Sequence, residues 1–245
     1  MPKIKFIQLT KVDSTNQYLG VLSSKKNLPE LTTVVANYQT SGRGQRGNSW
    51  ESTDSKNLLF SFLLRPSFLE IKKQFSLSQI ISLAIKEELE AHAEGFSIKW
   101  PNDIYWQEKK ICGILIENDL IGNQISRTIV GIGININQEE FYSSAPNPVS
   151  LKQITNKEYN LSTILENILN RIASYYEQLK DGDSEKIANS YHQSLFRNQG
   201  MHLYEDKSGK FMAQIEKVTP EGPIILKDEA GQEREYAFKE VSYIL

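Results

Sequence analysis

The chain has one cysteine, Cys112, and three scattered histidines in 245 residues. A lone cysteine excludes an intramolecular disulfide and fits a reducing compartment. Without a Cys/His cluster there is no zinc-site spacing either. No sign of charge dominates, since 28 Lys and Arg stand against 30 Asp and Glu. That balance excludes the strong basic field that draws in nucleic acid. No apolar run reaches the ~18 residues of a membrane span. The opening Met1-Pro2-Lys3-Ile4-Lys5-Phe6 lacks the apolar stretch of a secretion signal. Repeats and low-complexity tracts are also missing. These absences predict a cytoplasmic protein that binds neither DNA nor membrane. What remains is an ordinary globular composition, 39% apolar and 24% charged, in a chain long enough for one large domain or one domain plus a small one.

One stretch departs from the ordinary: Ser41-Gly42-Arg43-Gly44-Gln45-Arg46-Gly47-Asn48-Ser49-Trp50. Glycine lets a ligand approach the main chain closely, and arginine offers a permanently charged planar fork for phosphate or carboxylate oxygens. The run Thr32-Thr33-Val34-Val35-Ala36 reads as a strand delivering this loop. Gly42-x-Gly44-x-x-Gly47 spells a dinucleotide fingerprint, which needs a helix opening at the glycines. The next residues, Asn48 to Ser55, are turn chemistry without a 3.6-residue apolar period. A P-loop is excluded because Asn48 stands where its lysine belongs. Two readings of the loop remain: a solvated turn carrying two arginines, or a cationic lid over an anion.

Elsewhere the chain reads as alternating elements. Lys3 to Leu9 predicts a first strand, and Asp13-Ser14-Thr15-Asn16 either caps a short helix or points hydroxyls and amides into a pocket. Thr33–Gln39 predicts a strand. The almost wholly apolar 57–64 predicts one buried on both faces. Helical spacing runs from Ser76 to His92. The strand from Phe96 meets Pro101, Asn102-Asp103 forms a polar corner, and a hairpin turning at Gln107-Glu108-Lys109 leads into the strand Lys110–Glu117. In the segment 124–137, isoleucines alternate with Gly131, Gly133 and Asn135. Bare glycines on a strand face mark the approach of a ligand or another backbone, or else a bulge. Residues 138–160 read as an irregular connection. Leu161 to Leu179 is the cleanest amphipathic helix, with Thr163 and Glu166 as its capping box and Asp181-Gly182 as its stop. A shorter helix spans 184–196. Short apolar runs at 201–204, 211–218, 223–226, 236–238 and 241–245 then predict a small barrel, placing a domain boundary near residue 196.

Taken in order, Asp13-Ser-Thr-Asn16, Gly42-Arg-Gly-Gln-Arg-Gly47 with Trp50, Lys99-Trp-Pro-Asn-Asp103, Lys110-Ile-Cys-Gly-Ile-Leu115 and Gly131-Ile-Gly-Ile-Asn135 resemble the biotin protein ligases, across roughly residues 10–140. The resemblance implies an α+β fold. A mixed sheet with flanking helices, related to class II aminoacyl-tRNA synthetases, would occupy 1–196, and a small SH3-like barrel 197–245. It implies ATP and Mg²⁺ as co-reactants and biotin as substrate. Biotinyl-5′-AMP would form, and the biotinyl group would pass to a lysine of a biotin carboxyl carrier domain of acetyl-CoA carboxylase or another biotin-dependent carboxylase. Members are monomers or homodimers.

The resemblance also assigns roles. Lys110 would bridge carboxylate and phosphoryl oxygens, helped by Arg43 and Arg46 on the lid and by Asp103. Ser14, Thr15, Asn16, Gln39, Gly42, Arg43, Gly113, Leu115, Gly131 and Gly133 would surround biotin. Arg46, Trp50, Asn102, Lys110 and Asn135 would hold the nucleotide, Trp50 on adenine and Asn135 on a phosphate. Asn102 and Asp103 would meet Mg²⁺ through the phosphates. Two departures stand out. Many members have arginine at the position of Gln45, and often a basic residue at that of Asn48, so this loop carries less positive charge. Members that repress transcription carry a DNA-binding domain ahead of the first motif, whereas twelve residues precede Asp13; the expectation is a ligase without repressor function. The rival readings are a lipoate ligase of the same superfamily and a non-catalytic nucleotide-binding regulator.

Overall fold

Period-two runs assemble into two separate sheets in the computed structural model, which describes residues 4–142 and 146–244 apart from the Arg46 side chain. Lys3 and Leu245, at the ends of the first and last expected strands, lie outside the described residues. The larger sheet has seven strands: β1 (Phe6–Val12), β2 (Thr33–Gln39), β3 (Leu58–Leu64), β4 (Phe96–Lys99), β5 (Asp103–Trp106), β6 (Lys109–Ile121) and β7 (Gln124–Ile134). Their order is β1-β2-β3-β7-β6-β5-β4. β1 runs parallel to β2 and the other neighbours are antiparallel, so the sheet is mixed. β1 begins and ends three residues later than expected, because its ladder with β2 runs from Phe6 opposite Thr33 to Val12 opposite Gln39.

Helices cover both faces. Helix α1 (Thr15–Lys25) packs on one, with Leu19 against Val34, Leu63 and Ile129. Helices α2 (Phe75–Glu90), α4 (Leu161–Lys180) and α5 (Ser184–Gln193) share the opposite face's core with Phe60, Phe62, Val130 and Ile132. β3 lies between the two layers and is buried at all seven positions, as its apolar run predicts. Each large apolar side chain buried this way contributes about 1.5–3 kcal/mol.

Three local expectations are corrected. The cap of α4 is Asn160, whose side chain accepts the Thr163 N–H at 3.1 Å. Asparagine there satisfies an orphan donor one turn earlier than Thr163 would. A capping box does form, but between Ser150 and Gln153. It opens the short helix α3 (Leu151–Thr155) inside the stretch expected to be irregular. The helix expected over 184–196 ends at Gln193, because Ile98 N–H takes the carbonyl of Ser194 and Phe196 N–H donates to Ile98.

The second sheet is antiparallel, with β8 (His202–Asp206), β9 (Gly209–Val218), β10 (Ile224–Asp228), β11 (Glu233–Tyr236) and β12 (Val241–Tyr243) in the order β11-β10-β9-β8-β12. Gly209, Gly222 and Gly231, at φ of 120°, 118° and 79°, make turns that L residues rarely adopt. The expected boundary near 196 falls between α5 and β8. The second sheet's Tyr204, Ile215 and Leu226 nevertheless join the same core as the first. Trp100 Nε1 donates to Gly222 O at 2.8 Å. Phe196 packs against both Tyr105 and Tyr243, with ring centroids 5.7 and 5.9 Å apart. These contacts bring β12 to the β4–β5 end of the large sheet.

Candidate active site

Register decides which side chains share the α1 face. Ser61, Gly131 and Leu115 are cross-strand partners, and one row along, Leu59, Gly133, Gly113 and Asp103 are. Lys99 completes that row opposite Asp103. Directly opposed residues point to the same side of a sheet. The bare glycines in these rows therefore leave a flat floor between walls of larger side chains.

The floor is closed from above by two side chains. A Cβ added to Gly131 would stand 2.1 Å from Asn16 Oδ1, and one on Gly133 would stand 2.3 Å from Trp50 Cε2. The Asn16 amide and the Trp50 indole thus rest directly on the glycines. Asn16 is held there by Ser61 Oγ at 2.6 Å and by Glu117 Oε2, which accepts from its Nδ2 at 2.9 Å. Ser14 occupies the cap position of α1, yet its side chain makes no capping bond. Thr15 donates from N and from Oγ1 to Gln39 Oε1 at 2.7 and 3.1 Å. A hydroxyl and amide cluster therefore gathers at the start of α1 and the end of β2.

The glycine loop is a tight hairpin. Trp50 N–H donates to Gly42 O at 2.9 Å, and residues 45–47 make a single 3₁₀ turn before the backbone extends again at Asn48. No helix opens at the glycines, so dinucleotide geometry is absent. The Arg43 guanidinium pairs with Glu117, both about 40% exposed (43% and 44%). Arg46 belongs to the 3₁₀ turn.

At the other end of the floor, Lys110 Nζ reaches Asp103 Oδ1 at 2.7 Å and lies 5.8 Å from the centre of the Trp50 ring. Asn102 donates to Ile114 O and so braces β6. Lys110, Asp103 and Trp50 line two adjoining cavities. One, of about 560 Å³, extends over Ser14, Thr15, Asn16, Gln39, Leu115 and Gly131 and on to β12. The second, of about 480 Å³, includes Asn135, Phe141 and Pro148. Asn135 donates its Nδ2 to Val149 O at 3.2 Å, while its buried Oδ1 has no partner among the described residues. Burial lowers the Lys99 ammonium below its ordinary pKa, against the pull of Asp103 and with that of Lys110 and Arg197. The phenol beside it, Tyr105, is raised beyond the usual range by burial and by Asp103.

Every described side chain assigned from the motifs except Gly42 and Asn135 lines the first cavity; Asn135 lines the second. Gly42 lies at the base of the loop, where a Cβ would stand 2.5 Å from Trp50 O. Ser61, Glu117 and the β12 end of the second sheet carry no sequence assignment. Ser61 had a signal: it is the one polar residue within the apolar strand Leu58–Leu64. The approach of β12 had none, because docking between two sheets leaves no local pattern.

Comparison with known proteins adds an independent line. Residues 9–135 match the model of the biotin/lipoate A/B protein ligase family. The chain is 34% identical over 151 residues to the bifunctional ligase/repressor BirA of Bacillus subtilis, covering 60% of this chain and 46% of that protein. It is 26% identical over 232 residues to the biotin–[acetyl-CoA-carboxylase] ligase of Paracoccus denitrificans, covering 92% of this chain and 95% of that one. The chain thus spans about half the length of the Bacillus relative and nearly all of the Paracoccus one. The structure of biotin protein ligase from Aquifex aeolicus in complex with biotin and ATP superposes with a TM-score of 0.80, at 31% identity and 97% coverage of each chain. The matched residues run from β1 to Asn135, just past the end of β7, and so hold the whole glycine-floored face: this chain belongs to the biotin/lipoate A/B protein ligase family.

Proposed function

We propose that the chain is an ATP-dependent biotin protein ligase. It would activate biotin as biotinyl-5′-AMP and pass the biotinyl group to a lysine of a biotin carboxyl carrier domain. The observation that carries this reading is the place of Lys110 at the junction of two cavities, one ending in the hydroxyl and amide cluster and the other in Asn135. The first suits a ureido ring on a carboxylate tail. The second suits a base: with Nδ2 committed to Val149, Asn135 offers an acceptor, which fits an exocyclic N–H better than a phosphate oxygen.

Lys110 then stands where the carboxylate and the α-phosphate meet. Two anions repel, and a fixed ammonium between them stabilises charge that grows on the phosphoryl oxygens as the carboxylate attacks and pyrophosphate leaves. Arg43 supplies a second cation. Its exposed pair with Glu117 is worth at most ~1 kcal/mol, so a substrate anion can replace Glu117 as its partner. Closure of the loop through residues 42–50 keeps water from the anhydride. In the second step the carrier amine attacks the carbonyl carbon, the bond to the phosphate oxygen breaks and AMP departs. Asp103 is the carboxylate placed to orient the incoming ammonium and accept its proton. Among the described residues no group of three or more His, Cys, Asp or Glu stands together. That donor set suits Mg²⁺ carried in on the phosphates, with Asp103 and Asn102 as its protein-side oxygens. When bound, the ion screens the phosphoryl oxygens. The test is exchange of labelled pyrophosphate into ATP, expected with biotin and not with lipoate; exchange with lipoate alone would reverse the substrate assignment.

A further inference from the structure

Lys99 is a cation in the first cavity with no role among the steps described above. No ion pair among the described residues includes it, and its Nζ donates one hydrogen bond, to Tyr105 Oη at 3.1 Å. It is held between two rings, 4.6 Å from the centre of Tyr105 and 5.2 Å from that of Tyr243 on β12. An ammonium has three donors, and Lys99, half-buried and with no ion-pair partner among the described residues, has donors left for an anion that enters the cavity. The register says where that visitor would lie. Lys99 is opposite Asp103, Asp103 opposite Gly113, and Gly113 opposite Gly133. Each step across the sheet is about 4.8 Å. Lys99 therefore stands one strand beyond Asp103, on the side away from Ser61 and Asn16. In an in-line displacement the attacking and leaving oxygens lie on opposite sides of the phosphorus. An acid whose ring sits on the Ser14–Asn16 cluster attacks from that end and sends the leaving group toward β4.

We infer that Lys99, backed by Tyr105 and by Tyr243 of the second sheet, forms the subsite for the pyrophosphate part of the nucleotide. It holds the β- and γ-phosphates before reaction and inorganic pyrophosphate after it. The inference rests on the ligase reading for the direction of departure, and it gives the C-terminal sheet a part in the site. Acidic side chains flanking the carrier lysine are the competing anion. Their contact would come during transfer, when pyrophosphate has left.

The experiment uses the full chain with Mg²⁺ and measures three quantities in wild type, Lys99→Gln and Lys99→Arg. These are the affinity for inorganic pyrophosphate, the affinity for biotin, and the rate of transfer from presynthesised biotinyl-5′-AMP to a carrier domain. Loss of a hydrogen bond to a charged group predicts pyrophosphate binding weakened by about ten- to a hundredfold in Lys99→Gln. Lys99→Arg restores most of it, while biotin affinity and transfer stay within about twofold of wild type. If Lys99→Gln does not fold, Lys99→Met keeps the stem packed between the rings and carries the same expectation. Unchanged pyrophosphate affinity overturns the inference, and so does a loss confined to transfer, which would give Lys99 to the carrier. The parent reading fails separately: a wild-type chain that binds pyrophosphate through Lys99 but never turns over biotin keeps the subsite and loses the ligase.

Discussion

Gly131→Ala adds one methyl group to the floor of the site, and its sign can be worked out in advance. Gly131 is not at positive φ, so alanine fits the backbone. Where the new side chain meets no strain, such a change stabilises by roughly 0.4–1 kcal/mol through the unfolded chain. At 131, however, the Cβ meets Asn16 Oδ1 at 2.1 Å and Cγ at 2.7 Å, against ordinary contact beginning at 3.4 Å. Asn16 must retreat by more than 1 Å, and it is only 4% exposed and bonded to Ser61 and Glu117. Breaking one bond of a buried amide costs about 1–3 kcal/mol, which outweighs the entropic gain. The net is a loss of about 1–2 kcal/mol, or roughly 2–8 °C in Tm for a chain of this size. Biotin affinity falls with it, because Asn16 leaves its place in the cluster. The control is Gly20→Ala on α1, where nothing lies within 4 Å of the added Cβ. Helix propensity alone predicts a gain of about 0.8–1 kcal/mol there. Urea unfolding with biotin titration reads both variants. If Gly131→Ala matches wild type in stability and affinity, the packing of Asn16 on the glycine floor is wrong.

Lys110→Ala is expected to abolish adenylate formation while the thermal unfolding profile stays near wild type; turnover close to wild type would remove Lys110 from the chemistry. Gln45→Arg restores a charge on the loop and is expected to slow release of biotinyl-5′-AMP, measured by rapid mixing; an unchanged release rate refutes the charge argument. Asp206 bears on pH. The Tyr236 hydroxyl at 2.6 Å, then the Ser208 N–H, hold its carboxyl below the ordinary value. A depressed folded pKa means stability that is present above about pH 4 and lost as pH falls through the lower folded value. Asp206→Asn should therefore flatten the acid limb of unfolding, and an acid limb identical to wild type would discount that carboxylate.

Much of the fold is legible in the sequence because the large sheet is built from local patterns. The apolar run before Arg65 is a strand buried on both faces, and the Ile/Gly alternation of β7 puts isoleucines in the core and glycines on the opposite face. The cap of α4 is ambiguous in sequence because Asn160 and Thr163 both have capping side chains, and the choice depends on where the helix begins. The capping box at Ser150 escapes a sequence reading because α3 is only five residues long and has no period to detect. In the site, motifs locate the residues, but register locates their neighbours. That Lys99 stands in line with Gly133, Gly113 and Asp103 comes from pairings across four strands. That Tyr243 reaches it comes from the packing of two sheets. Neither relation exists at any fixed sequence spacing. The same is true of Glu117, which joins Arg43 of the loop to Asn16 of the floor from more than seventy residues away.

The central claim is the ligase reaction itself. Incubation of the chain with ATP, Mg²⁺, biotin and a biotin carboxyl carrier domain, followed by intact-mass analysis, tests it most directly. The account predicts the mass of one biotinyl group added to a single lysine of the carrier, dependent on ATP and lost in Lys110→Ala. An unmodified carrier, or the same addition without ATP, would contradict it.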